Sequence, residues 1–151
     1  MIDFESKYHQ RRFIPKNPRK YQGNHNMIIN RSSWETIFAK WLDENDDVLQ
    51  WSSEELAIPY KCATDNRFHR YFVDFKMTLK TKDGERKTFI VEIKPMAQTQ
   101  VPKYPGRQTK RYLTESMTFA KNQSKWKAAQ RYAKDRGWEF VIITEKELGI
   151  V

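Results

Sequence analysis

A single cysteine, Cys62, in 151 residues leaves nothing for an internal disulfide, and by spacing no other residue groups with it as a metal cluster. A disulfide-stapled secreted scaffold is therefore excluded, and a reducing compartment is expected. No apolar run approaches the length of a membrane span, and the opening Met1-Ile2-Asp3-Phe4-Glu5-Ser6-Lys7 lacks the apolar core of a secretory signal. We therefore expect a soluble, intracellular chain with no membrane partner. His9, His25 and His69 lack metal-ligand spacing and read as surface or packing residues, with His69 near the site. Internal repeats are also missing. What is present is apolar mass: 38% hydrophobic and 14% aromatic residues, enough to exclude general disorder and to build one compact core.

Charge is the next signal. The net charge of +9 suits a polyanionic partner. Residues 1–31 carry seven Lys/Arg against two acids and 103–136 carry ten against two, whereas 32–102 carry ten against twelve. An acidic middle between basic flanks is the arrangement expected if carboxylates hold a metal while the flanks hold nucleic acid. A merely solvated surface would give the same totals.

Residues 1–31 are polar, basic and punctuated by Pro15, Pro18 and Gly23, so they read as an N-terminal arm that Tyr8, Phe13 and Tyr21 pin to the core. The domain proper is expected over 32–151. Trp34, Ile37, Phe38, Trp41 and Leu42 recur at helical spacing after Ser32 and predict a helix ending near Asn45. Short strands are expected around 48–51 and 56–58. Tyr71, Val73, Phe75, Met77 and Leu79 alternate with polar residues, as do Phe89, Val91 and Ile93 after Asp83-Gly84, which predicts a β-hairpin. Pro95 ends its second strand, and 95–116 reads as a loop or lid. A second helix is expected from near Asn122 to Arg136, stopped by Gly137, then a buried strand over 138–143 and a last short helix capped at Thr144. The order α-β-β-β-α-β implies an α/β fold with a mixed sheet flanked by helices.

Register decides where the chemistry lies. A two-residue Asp83-Gly84 turn would mix apolar and charged residues on each face. A three-residue loop, Lys82-Asp83-Gly84, with Gly84 left-handed in a bulge, pairs Val73 with Ile93, Phe75 with Val91 and Met77 with Phe89. Asp74 then lies across from Glu92, and Lys94 projects on the same side. Two adjacent carboxylates repel each other, and a divalent cation offsets that repulsion. A solvated face on which Lys94 and Lys76 neutralise the acids fits the same register.

Val73-Asp74-Phe75 followed by Glu92-Ile93-Lys94 resembles the D…ExK signature of PD-(D/E)xK nucleases, with Val73 in place of the usual proline. Glu35 fits the glutamate that many of these enzymes, including transposon-end nicking endonucleases, carry on the helix before the sheet. Its spacing from Ser32 equally makes it the reciprocal half of a capping box. The chain is also similar over nearly its full length to the head completion nucleases of T-even-type tailed phages. The matching segments are the basic arm, Trp34-Glu35, the stretch from His69 to Phe75, Glu92-Ile93-Lys94-Pro95 and the helix around Lys125-Trp126-Lys127. The resemblance implies a restriction-endonuclease-like fold and cleavage of double-stranded DNA at ends and internally. It also implies a role in finishing packaged heads before tails join, in the host cytoplasm and with retention in the virion, alongside portal or neck proteins.

On this reading Asp74, Glu92 and the Ile93 backbone carbonyl are the expected Mg²⁺ ligands, with Mn²⁺ as a substitute, and Glu35 completes the shell or serves a second ion. Lys94 acts on the attacking water or on the charge of the transition state, and with carboxylates beside it the second role is chemically easier. Lys121, Lys125, Lys127, Arg131 and Lys134, with Lys103, Arg107, Lys110 and Arg111, are the expected phosphate contacts, which position DNA without reading its sequence. A non-catalytic DNA-end or portal-binding protein, and a transposase or resolvase subunit, are the competing functions.

Overall fold

The computed structural model describes residues 11–150; Tyr8 and His9 lie outside them. Helix α1 (Ser33–Glu44) starts where expected because Ser32 is in extended conformation and its hydroxyl accepts the Glu35 N–H. Strand β3 (Val48–Ser53) follows, then β4 (Ala57–Lys61), β5 (Phe68–Phe72), β6 (Phe75–Lys80) and β7 (Arg86–Ile93). The long helix α2 (Lys110–Asp135) leads to β8 (Glu139–Ile143) and the short α3 (Glu145–Leu148). Ahead of α1, the two-residue strands Arg11–Arg12 (β1) and Ile29–Asn30 (β2) pair with each other.

The central sheet has the order β3-β6-β7-β8. Its first three strands are antiparallel, and β8 runs parallel to β7 after the α2 crossover. The sheet is thus mixed, as expected. The hairpin register is also as expected: Phe75 pairs with Val91 and Met77 with Phe89. The turn closes through Gly84 N–H to Thr81 O at 3.0 Å and Thr81 N–H to Glu85 O at 2.8 Å. Gly84, at φ 81°, supplies the left-handed residue that this loop requires.

The strand expected from Tyr71 to Leu79 is instead two strands. The chain breaks at Val73-Asp74, and β5 leaves the main sheet to pair with β4 in a separate two-stranded ribbon. The sequence alternation runs through the break without a gap because both halves bury alternate residues, but into different cores. Phe75, Met77, Val91 and Ile93 pack with Trp34, Phe38 and Leu42 of α1 and with Trp51. Tyr71 and Val73 join Ile58, Tyr60, Ile90 and the α2 residues Ala129 and Ala133. Val73 therefore does not continue the Phe75 face.

The second departure is α2, which starts at Lys110 rather than near Asn122 and absorbs the end of the stretch read as a loop. Thr109 caps it by accepting the Tyr112 N–H at 3.0 Å. Leu113 and Met117, in its first half, are exposed, so that half carries no buried stripe for a periodicity argument to find. The N-terminal stretch is pinned by aromatic rings as expected. Tyr21 stands edge-on to Trp51 with ring centroids 4.8 Å apart, and Phe13 meets the same indole at 5.8 Å. From Arg11 onward this stretch is therefore part of the first core's wall. Among the described residues no helix is long and apolar enough to cross a membrane.

Candidate active site

The break at Val73-Asp74 makes the site. Asp74 sits one residue before β6, at the level where β7 carries Glu92 and Ile93. Its Oδ2 accepts the Ile93 backbone N–H at 2.7 Å, so a carboxylate stands where a carbonyl would have continued the ladder. Ile93 thus fixes Asp74 through its N–H; the metal-ligand expectation concerns its carbonyl, a different atom. Glu92 alternates to the α2 side of the sheet, between Val91 and Ile93 of the first core. It is buried and accepts a short hydrogen bond from the Tyr71 hydroxyl. Lys94, two residues on, places Nζ 3.7 Å from Glu92 Oε1.

Glu35 reaches the same place from the first turn of α1. It is 5% exposed, and its Oε2 accepts the Ser32 hydroxyl at 3.2 Å. The other half of the box is as expected, with Glu35 N–H donating to Ser32 Oγ at 3.2 Å. The Glu35 carboxylate does not cap the Ser32 amide; it is held by the Ser32 hydroxyl and the Arg31 backbone N–H.

The electrostatics identify the cluster. Burial, followed by the charge of Glu54, pushes the Glu35 carboxyl up to about 7, against the opposing pull of Ser32 and Arg31. Asp74 is held well above the usual carboxylate range by burial, by Glu92 and by Glu35, in that order, with the Ile93 N–H and Lys94 opposing. These acids lie close enough to suppress one another's ionisation, which is what a set of metal-binding oxygens does without its cation. Hard carboxylate oxygens on three elements suit a hard divalent ion, so the donor chemistry fits one.

Sequence reasoning missed several neighbours. Glu54, at φ 53°, donates its N–H to Asp74 O at 3.3 Å and pairs with Arg31 Nε at 2.8 Å. Its positive φ follows from tertiary contacts and leaves no mark in a glutamate-rich segment. Tyr71 was read only as an apolar strand position. Lys125 was read as a phosphate contact, but its ammonium lies 5.6 Å from the centre of the Tyr71 ring. Burial lowers its pKa, as does neighbouring Lys121, while Glu92 pulls the other way.

The remaining basic residues divide. At about 100° per residue, Lys121 and Lys125 lie on one flank of α2, whereas Lys127, Arg131 and Lys134 lie on the flank away from it, with buried Trp126, Ala129 and Ala133 between the two sets. Lys103, Arg107 and Lys110 are exposed on the approach to the helix. Arg111 pairs with Glu115 at 2.8 Å and lines a cleft of about 650 Å³ with Gln98 and Asn122. His69 joins a different group: its ring nitrogen, an Asp65 oxygen and the Cys62 sulfur lie within 4.8 Å of one another. This corrects the expectation that Cys62 and His69 have no ligand-like neighbours. The chelating pattern, Cys62-x₂-Asp65-x₃-His69, was visible only to a search that allows a carboxylate among the ligands.

A hairpin presenting Asp, Glu and Lys at one end of the two central strands of a mixed sheet, with a helical Glu closing it, defines a nuclease of restriction-endonuclease-like fold. Residues 45–145 match the family model described as TnsA-like endonuclease N terminal, and the chain belongs to that family. Glu54, Asp74, Glu92 and Lys94 lie inside the match; Glu35 precedes it. The chain is also 42% identical, over 141 residues covering 91% of each protein, to the head completion nuclease of Enterobacteria phage T4.

Proposed function

We propose that this nuclease hydrolyses phosphodiester bonds of double-stranded DNA with little sequence preference. Its place is the completion of packaged phage heads before tails join, in the host cytoplasm, with the protein retained in the virion next to portal or neck proteins. The observation that carries the catalytic part is the convergence of Glu35, Asp74 and Glu92 beside Lys94, with Asp74 held well above the usual carboxylate range by burial, Glu92 and Glu35, and Glu35 raised by burial and Glu54. The T4 relative's name supports the setting.

Mg²⁺, with Mn²⁺ as a substitute, would be held by Asp74, Glu92 and the Ile93 backbone carbonyl, with Glu35 completing the shell, and would supply Lewis acidity at the scissile phosphate together with an acidified water. Tyr71 orients Glu92 by donating to one oxygen and leaving the other toward Lys94. The Ile93 N–H fixes Asp74 in the same way. Lys94, with its ammonium beside the Glu92 carboxylate, stabilises negative charge as it grows on the phosphate. Lys125, whose ammonium lies over the Tyr71 ring, would meet a phosphate oxygen beside the cleaved bond.

The test is nicking of supercoiled plasmid. We expect cleavage with Mg²⁺, none with excess EDTA, and loss of cleavage in Asp74→Asn although DNA is still retained on a gel. Cleavage surviving both EDTA and Asp74→Asn would refute the assignment. DNA retention without cleavage by the wild type in any divalent cation would leave a binding protein.

A further inference from the structure

The turn joining β4 to β5 holds the second group of ligand-type side chains, well outside the acidic cluster. Cys62 follows the last residue of β4 and His69 belongs to β5. The intervening loop is closed by Cys62 N–H to Arg67 O and Asn66 N–H to Cys62 O, both at 2.8 Å, with Asn66 left-handed at φ 58°. This tight path brings Cys62 Sγ, a carboxylate oxygen of Asp65 and a ring nitrogen of His69 within 4.8 Å of one another.

Each donor is also held in place. The Thr64 hydroxyl lies 3.0 Å from the sulfur, and the backbone N–H groups of Thr64 and Asp65 point at it. Asp65 Oδ1 accepts the Arg67 N–H at 3.0 Å, leaving Oδ2 toward His69 Nε2 at 2.7 Å. The Tyr60 ring, with its centroid 5.7 Å from that of the imidazole, backs His69 from inside the ribbon. A turn ion pair accounts for Asp65 and His69 alone. It does not account for a buried sulfur, equipped with N–H donors, aimed at the same point.

We infer that Cys62, Asp65 and His69 form a binding site for a thiophilic divalent cation, Zn²⁺ first, that clasps the β4–β5 turn. Sulfur and imidazole select zinc over the hard ions suited to the acidic cluster. Tetrahedral ligands at about 2.0–2.3 Å from zinc stand about 3.3–3.8 Å apart. The three donors already stand within 4.8 Å of one another, so small side-chain adjustments reach that spacing, with the 2.7 Å Asp65–His69 contact opening to admit the ion. Asp65 and His69 are each about 41% exposed at the side chain, so the fourth position faces solvent and is filled by water. The ribbon so clasped carries Tyr71, which bonds Glu92, and the ion thereby steadies one wall of the acidic site from a distance. The inference does not depend on the nuclease reading, since it concerns different residues and a different metal.

The experiment is titration of the full chain with Co²⁺, followed by displacement with Zn²⁺. A sulfur-to-cobalt charge-transfer band with the intense visible absorption of a tetrahedral centre is expected, saturating at about one equivalent and abolished by Zn²⁺. The acidic cluster has no sulfur and cannot give that band, so Asp74→Asn should leave it unchanged. Cys62→Ser should remove it. Because Cys62 is buried, the exposed ligands provide the folding control: His69→Ala and Asp65→Asn should each weaken Co²⁺ binding at least about tenfold in chains that melt normally without metal. Absence of the band in the wild type overturns the inference. So does a band of undiminished affinity in both His69→Ala and Asp65→Asn, which would mean a lone thiolate.

Discussion

Glu35 carries opposed demands, because α1 wants an N-terminal acid and burial opposes the charge. Its folded pKa of about 7 against an ordinary 4.5 fixes the sign of a pH effect. A carboxyl with a raised folded pKa contributes stability that is present below about 4.5 and lost as pH climbs through about 7. Glu35→Gln is uncharged throughout and loses nothing. In EDTA, its melting temperature should therefore gain on the wild type between about pH 5 and 8, by the equivalent of up to about 3 kcal/mol; a constant gap across that range would count against the buried charge. With Mg²⁺ the order reverses, and cleavage by the folded variant should fall by orders of magnitude, whereas a purely helix-capping Glu35 predicts wild-type nicking. Tyr71→Phe tests the neighbouring contact. Losing the hydroxyl that orients Glu92 should raise the Mg²⁺ concentration needed for half-maximal cleavage about tenfold with the rate at saturation nearly kept. An unchanged Mg²⁺ dependence would show that Glu92 needs no such support.

At the scale of elements, the two flanks of α2 predict a division of labour. Lys125 lies over Tyr71 and feels Glu92, whereas Lys127 sits on the far flank. Lys125→Ala should slow cleavage at saturating DNA, and Lys127→Ala should at most weaken binding, lowering the salt slope by about one unit. Equal effects on single-turnover rate would contradict the geometry. The same helix shows what a sequence can and cannot disclose. Trp126, Ala129 and Ala133 mark its buried half through their spacing, while Lys110–Lys121 buries so little that only Thr109 signals a start. Likewise the hairpin register could be read from Asp83-Gly84 and the apolar alternation, and with it the nearness of Asp74 and Glu92. The exit of β5 into a second ribbon could not, because Tyr71 and Val73 alternate as they would in one continuous strand. Glu54 was hidden for a related reason, since its place beside Asp74 and Arg31 comes from contacts between segments, whereas the turn at Cys62 is a local pattern that shows only when a carboxylate is counted among the ligands.

Over the whole molecule, the net charge of +9 overstates what one duplex can use. On the proposed reading, a DNA held over the acidic cluster would meet Lys121 and Lys125 from α2, and toward the start of the helix Lys103, Arg107 and Lys110 are exposed. Arg111 is already paired with Glu115. Lys127, Arg131 and Lys134 lie on the other flank of α2, and on a single-face picture they do not meet the same phosphates. Each neutralised phosphate releases counterions and contributes about −0.9 to the slope of log K against log salt, so about five contacts give a slope near −4 to −5. Such contacts carry no base information, and duplexes of unrelated sequence should compete equally at every salt concentration. The measurement is fluorescence anisotropy of a labelled duplex with Ca²⁺, or with Asp74→Asn in Mg²⁺, so that cleavage does not intrude. A slope near zero would remove the electrostatic interface altogether. A slope near −8, reduced to about −5 when Lys127, Arg131 and Lys134 are changed together to alanine, would instead mean that DNA wraps past the helix onto its far flank, and the single-face picture would have to be abandoned.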